Sequence, residues 1–330
     1  MISEKKSCLF VFVIAAISIL FPPPYVSAIT NQQLADICQV MESAIIDVSV
    51  EYEWYNIPPW THEEAEQEMG VPVLASKDGI SRHKISISRS YDANDPNRIL
   101  FNKFLFEESA VMSTKNGDSW NNIFKQSYNG TVGKSLDIGG TPRQVVSGRI
   151  SYKKPDISII LTPLGFSVLR FALNPNTSDM PLSYILRRDD LAKSDDTVQM
   201  VNEFRTVRVD FLREKSDRVI IRVYFSIDNG YTPVKYEYMR GAPDQNNIPT
   251  LSVEVHSLEK VREGLWFPTS GLITGIEKKH DDGFQTTALV IINQGLKDEF
   301  FDIQFPPGTN VQDDINNRQY VVKPTEEQFD

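Results

Sequence analysis

The sequence predicts a mainly β, α+β domain built on a strongly curved antiparallel sheet with few helices. Three observations predict it. Apolar and polar residues alternate through much of the chain, turn-forming residues separate these short runs, and only two segments place apolar residues at helical spacing. Consecutive antiparallel strands are the economical connection for such runs. A sheet with one wet face protects its edges and encloses its apolar face by curving.

The chain opens on an export signal. Lys5 and Lys6 precede an apolar run over residues 8–21, Pro22, Pro23 and Pro24 break any helix, and Val26, Ser27 and Ala28 supply small residues for cleavage. The run is fourteen residues, short of the roughly twenty a helix needs to span a bilayer. Cys8 begins the apolar run instead of ending it, so it is misplaced for a lipid-bearing cysteine. Residues 1–28 are therefore expected to be a cleaved signal peptide, with residues 29–330 forming a single domain in the periplasm or cell envelope, or outside the cell.

Composition narrows the chemistry. The formal net charge is −10, and losing Glu4, Lys5 and Lys6 removes a net +1 to leave −11. That sign disfavours nucleic-acid partners. Of the two cysteines only Cys38 lies beyond the leader, so the mature chain makes no internal disulfide and depends on packing.

The first helix is expected from Thr30 onward, capped by Thr30 or Asn31, with Leu34, Ile37, Cys38 and Met41 forming its apolar stripe. The period then changes to two: Val48, Val50, Tyr52 and Trp54 share one face, and Asp47, Ser49, Glu51 and Glu53 the other. Pro58, Pro59, Pro72 and the acidic residues Glu63, Glu64, Glu66 and Glu68 mark residues 56–80 as an insertion loop. Strand-like runs follow at 84–91 and 99–107, and a looser one at 120–136 contains the turn formers Asn129 and Gly130. Pro181 starts an amphipathic segment over 182–191, the second expected helix.

Alternation is clearest in the C-terminal half. Val207, Val209 and Phe211 share a face, as do Val219, Ile221, Val223, Phe225 and Ile227. The turn at Asp228, Asn229 and Gly230 returns the chain through Val234, Tyr236 and Tyr238 as a hairpin. Leu251, Val253 and Val255 follow, then runs at 271–279 and 284–293 separated by a turn expected at Asp281, Asp282 and Gly283. Residues 321–330 are expected to form a flexible tail.

Motifs of bond chemistry are missing from this pattern. His62, His83, His256 and His280 have no second ligand at zinc spacing, so no metal site is expected. No nucleophile elbow occurs, and Gly139-Gly140 and the segment 130–133 lack the lysine and helix of a phosphate loop. The acid pairs, such as Asp189-Asp190, Asp195-Asp196 and Asp313-Asp314, fall in turn or cap contexts. No catalytic residue, metal or cofactor is assigned.

The order of motifs resembles the LolA family of periplasmic lipoprotein carriers. An amphipathic helix precedes the first strand, Ser127-Tyr128-Asn129-Gly130 forms a turn, and Pro181-Leu182 opens a mid-chain helix. The most specific part is the end: Phe301-Asp302-Ile303-Gln304-Phe305-Pro306-Pro307-Gly308-Thr309, followed by Val311, Asp313 and Asp314, is similar to the family's closing Phe-x-Phe, Pro-Pro, Gly and Val-x-Asp segment. The step at Gly264-Leu265-Trp266-Phe267-Pro268 resembles exported relatives of unknown role.

The resemblance implies an incomplete antiparallel β-barrel, with an N-terminal and a mid-chain helix covering its opening. It also implies non-covalent binding of a lipid or lipoprotein acyl chains in an apolar cavity, with envelope membrane proteins as further partners. Strand parity then nominates Val48, Val50, Tyr52, Trp54, Val223, Phe225, Tyr236 and Tyr238 as the lining. The chain is longer than the family's usual carrier, so the fold can be shared while the cargo differs. Two other readings stay open: an envelope protein-interaction or sensor module with a peptide groove, and a secreted hydrolase, which would need an acid, base or nucleophile cluster in one cleft.

Overall fold

A computed structural model describes residues 29–57, 61, 63, 64, 67, 75–91, 99–113, 117–140, 145–153, 182–213, 216–239, 249–275 and 281–324. The leader over 1–28, much of the segment 56–80 and the last six residues of the expected tail lie outside them.

Helix α1 is Asn31–Ala44. It starts where it does because Thr30 is extended and caps it: the Thr30 hydroxyl accepts from the Gln33 N–H at 3.2 Å, and the Gln33 side chain accepts from the Thr30 N–H at 2.9 Å. Such a cap contributes about 1 kcal/mol. Leu34, Ala35 and Cys38 form the buried stripe.

The first half of the sheet follows as β1 (Asp47–Ile57), β2 (Ala75–Tyr91), β3 (Ile99–Ser113), β4 (Ser119–Tyr128), β5 (Gly133–Gly139) and β6 (Val145–Ser151). Each strand pairs antiparallel with the next. Strand β2 starts at Ala75, well before the alternation at residue 84. The β4–β5 hairpin closes at Asn129, whose side chain accepts from the N–H groups of Thr131 (3.0 Å) and Val132 (2.9 Å).

Helix α2 (Leu182–Leu186) is shorter than the segment 182–191 predicts. Its chain turns out at Arg188, whose carbonyl accepts from the N–H groups of Leu191 (2.9 Å) and Ala192 (3.0 Å), and feeds directly into β7. The second half of the sheet is β7 (Ala192–Val201), β8 (Phe204–Leu212), β9 (Val219–Ser226), β10 (Thr232–Met239), β11 (Pro249–Arg262), β12 (Leu265–Gly275), β13 (Asp281–Thr286) and β14 (Ile291–Ile292).

Two details differ from the sequence reading here. Trp266, Phe267 and Pro268 lie within β12, with the proline admitted where the β11 register shifts between Ser257 and Leu258. Asp281, Asp282 and Gly283 are strand: all three pair with β1, and Asp282 and Gly283 also pair with β12. Asp282 is buried there and accepts from the Asn56 amide at 2.6 Å, which is why an acidic pair that reads as a turn sits inside the sheet.

The strands form one open, curved sheet in the order β16-β15-β6-β5-β4-β3-β2-β1-β13-β12-β11-β10-β9-β8-β7, where β15 is Asn310–Asp313 and β16 is Arg318–Val321. Its ends, β16 and β7, are not paired with each other among the described residues. The described part of the fold is thus an incomplete barrel with helices α1 and α2 against it. All pairs on this path are antiparallel except β15 against β6, which is parallel.

The concave face holds the main core together with α1 and α2. The helices also bind each other: Ser183 donates to the Glu42 carboxylate, and Arg187 donates to Asp36 (2.8 Å) and Gln39 (2.6 Å). On the convex face, Asp210, Arg222 and Glu237 form a charged ladder across β8, β9 and β10.

Chain 294–309 crosses the convex face of the first half-sheet. Phe301 and Ile303 bury there against Leu105 and Leu136, forming a second core. Lys134 pairs with Asp302 at 2.7 Å over it. The closing motif therefore fastens the C-terminus across the back of the sheet and adds β15 and β16 to its edge.

Candidate ligand-binding face

The eight nominated residues occupy one continuous apolar cluster on the concave face, beneath Leu34, Cys38, Ile185 and Leu186 of the helices. Val48, Val50, Tyr52, Val223, Phe225 and Tyr236 are buried, and Trp54 and Tyr238 are half-buried. Side chains fill this face. Val223 and Tyr236 lie opposite each other on β9 and β10, and Tyr236 opposes Val253 on β11. On the other half, Trp54 opposes Phe284, whose ring lies over Gly271: a Cβ there would be 2.6 Å from the Phe284 ring. Glycine is needed at 271 to let that ring down onto the sheet.

Polar groups inside this face are few. The hydroxyls of Tyr52 and Tyr236 and the Nδ1 of His83 are buried with no hydrogen-bond partner. Burial pushes both tyrosine hydroxyls far above their ordinary range; Glu108 adds to the effect at Tyr52, and Tyr238 and Cys38 at Tyr236.

The sequence reading missed His83 and Glu108. Register places Tyr52 (β1), His83 (β2), Glu108 (β3) and Phe124 (β4) side by side in one cross-strand row. His83 stacks on Tyr52 at 5.0 Å and on Trp54 at 5.9 Å, and meets Phe106 at 5.5 Å. Phe106 in turn meets Phe124 at 6.4 Å. The other His83 nitrogen, Nε2, shares a 2.6 Å hydrogen bond with the Ser81 hydroxyl. Burial lowers the imidazole to about 4, so it is neutral at pH 7, and burial raises the Glu108 carboxyl. Strand parity marks both in the sequence: His83 shares the face of Ile85 and Ile87, and Glu108 that of Phe104 and Phe106. Reading the histidines only for metal spacing hides this.

Among the described residues no group of three or more histidine, cysteine or acidic side chains could hold a metal. No described helix is long and apolar enough to cross a membrane.

No family model and no curated protein matches the chain. Its neighbours among solved structures include LolA-type proteins. A DUF1329 family protein from Desulfovibrio piger is 10% identical with a TM-score of 0.41, covering 82% of this chain and 95% of that one. A putative outer membrane lipoprotein-sorting protein domain from Vibrio parahaemolyticus is 9% identical with a TM-score of 0.40, covering 83% and 97%. A LolA superfamily protein from Nitrosomonas europaea is 8% identical with a TM-score of 0.37, covering 84% and 99%.

Proposed function

We propose that this protein is an exported carrier that binds a lipid, or the acyl part of a lipoprotein, non-covalently against the concave face of its half-barrel. The observation that carries this reading is the pair of buried, unpartnered hydroxyls, Tyr52 and Tyr236, in a mostly apolar concavity under a two-helix cover. Each unpaired buried hydroxyl costs about 1–3 kcal/mol. A core selected only for stability would carry phenylalanine at both positions.

In this reading α1 and α2 form a cover over the concave face. The apolar undersides of α1 and α2 occupy the place of cargo, and the two helices, bonded to each other through Ser183–Glu42 and Arg187–Asp36, move together, breaking the bonds from Asn31 to the Ala192 carbonyl and from Arg262 to the Ala44 carbonyl. Val48, Val50, Tyr52, Trp54, Val223, Phe225, Tyr236 and Tyr238 then line the acyl site. Residues 1–28 are removed on export, 29–330 act as one domain in the periplasm or envelope, and membrane proteins there deliver or receive the cargo; β1 and β2 narrow the expected insertion to 58–74, and β16 with the Val322 backbone bonds moves the start of the expected tail beyond 322. No covalent step is required.

The test is displacement of a fluorescent acyl probe by alcohols of increasing chain length. Each buried methylene contributes about 0.8 kcal/mol, so affinity rises about fourfold per carbon until the site is full. Affinity independent of chain length contradicts the reading.

A second reading has one observation in its favour. A shallow surface groove runs along Gln294, Gly295, Leu296, Lys297, Glu299 and Phe300 on the convex side. A protein-interaction module would bind peptide there, and Tyr52→Asp would leave that binding unchanged.

A further inference from the structure

We propose that Tyr52, His83 and Glu108 together receive a primary ammonium group, the head of an amphiphile whose tail lies on the apolar face; the tail's placement rests on the carrier reading above.

Among the described side chains of β1–β4 the four Lys and Arg residues are engaged on the convex face: Arg82 with Glu53 (3.2 Å), Lys84 with Glu51 (2.8 Å), Lys125 with Glu107 (2.9 Å) and Lys103 with Asp298. Glu108 has the opposite parity and lies on the concave face. It makes no hydrogen bond or ion pair among the described residues, and burial holds its carboxyl above the ordinary range. An uncompensated carboxylate in an apolar wall attracts a cation and repels carboxylate or phosphate heads.

Geometry narrows the cation. Glu108 shares its row with two acceptors that lack donors. Tyr52 Oη is buried and unpartnered. His83 Nδ1 is likewise unpartnered, and becomes an acceptor when Nε2–H donates to Ser81 Oγ. Three acceptors match the three N–H donors of a primary ammonium. Trp54, Phe106 and Phe124 add aromatic surface, which favours a desolvated cation. A quaternary ammonium would use the rings but leave all three acceptors unsatisfied.

Calorimetric titration of the mature protein with dodecylamine, dodecyltrimethylammonium, dodecanol and dodecanoate tests this. The proposal expects dodecylamine to bind at least tenfold tighter than dodecanol and than the trimethyl compound, with dodecanoate weakest. Glu108→Gln, which keeps shape and deletes the charge, brings dodecylamine and dodecanol together. Tyr52→Phe and His83→Phe, which keep the ring packing, each cost the amine several-fold. Equal binding of amine and alcohol, an amine preference that survives Glu108→Gln, or parity of the primary and trimethyl heads overturns the ammonium site while leaving the carrier reading intact. Failure of all four probes to bind overturns both.

Discussion

The rings of Tyr52 and His83 stack at 5.0 Å with 29° between their planes, seating the imidazole in an apolar wall. The histidine is thereby held neutral, with its proton affinity lowered to about 4 by burial. In the unfolded chain it titrates near ~6.5. Between these values the unfolded state binds a proton that the native state does not. Stability from this group is therefore full above about pH 6.5 and falls as pH drops toward 4, by up to about 3 kcal/mol. Glu108 has the opposite sign, its raised carboxyl favouring the native state at low pH. Comparing wild type with His83→Phe isolates the histidine: the variant loses less stability in urea between pH 7 and 4.5. Parallel pH profiles would contradict this.

The buried carboxylate of Asp47 accepts from the backbone N–H groups of Gln294 (2.8 Å) and Gly295 (2.9 Å), anchoring the start of the convex crossing to β1. Asp47→Ala strands both donors and is expected to cost about 2–4 kcal/mol. Asp47→Asn keeps an acceptor and costs less. Urea midpoints check the order.

Phe305 lies directly on Gly148 of β6, where a Cβ would stand 2.6 Å from its ring. Gly148→Val forces the ring away and is expected to destabilise by about 1–3 kcal/mol. Phe305→Ala removes the obstacle, so the double variant should be less destabilised than the sum of the singles. Additivity would show that the two residues do not meet.

Cys38 is 1% exposed, and burial, with a contribution from Glu42, raises its thiol well above the usual range. Thiol reagents should reach it only when α1 lifts. Arg187→Ala deletes the contacts to Asp36 and Gln39. Losing about 1 kcal/mol of helix attachment speeds labelling about fivefold without changing global stability in proportion. Labelling that tracks only global unfolding would contradict a moving cover.

Much of the fold was legible because its signals are local. Thr30 and Gln33 announce the first helix start, the alternation from Val48 to Trp54 and from Val219 to Phe225 fixes which side chains share a face, and Asn129 and Asn229 mark hairpins. Local signals failed where distant chain decided the outcome. Asp282 reads as a turn residue until Asn56 supplies its partner from β1. The parallel pairing of β15 with β6 depends on the crossing fastened by Asp47 and Phe301, which no period records. The polar row was half legible: parity places His83 and Glu108 on the inner face, but their meeting across β1–β4 requires the register.

Native mass spectrometry with lipid extraction, on mature protein purified from its own envelope without detergent, tests the central claim most directly. The carrier account predicts acyl-chain species that stay bound through purification, leave on denaturation and are lost in Tyr52→Asp. A clean ligand-free mass, together with failure of added lipids to bind, would contradict it.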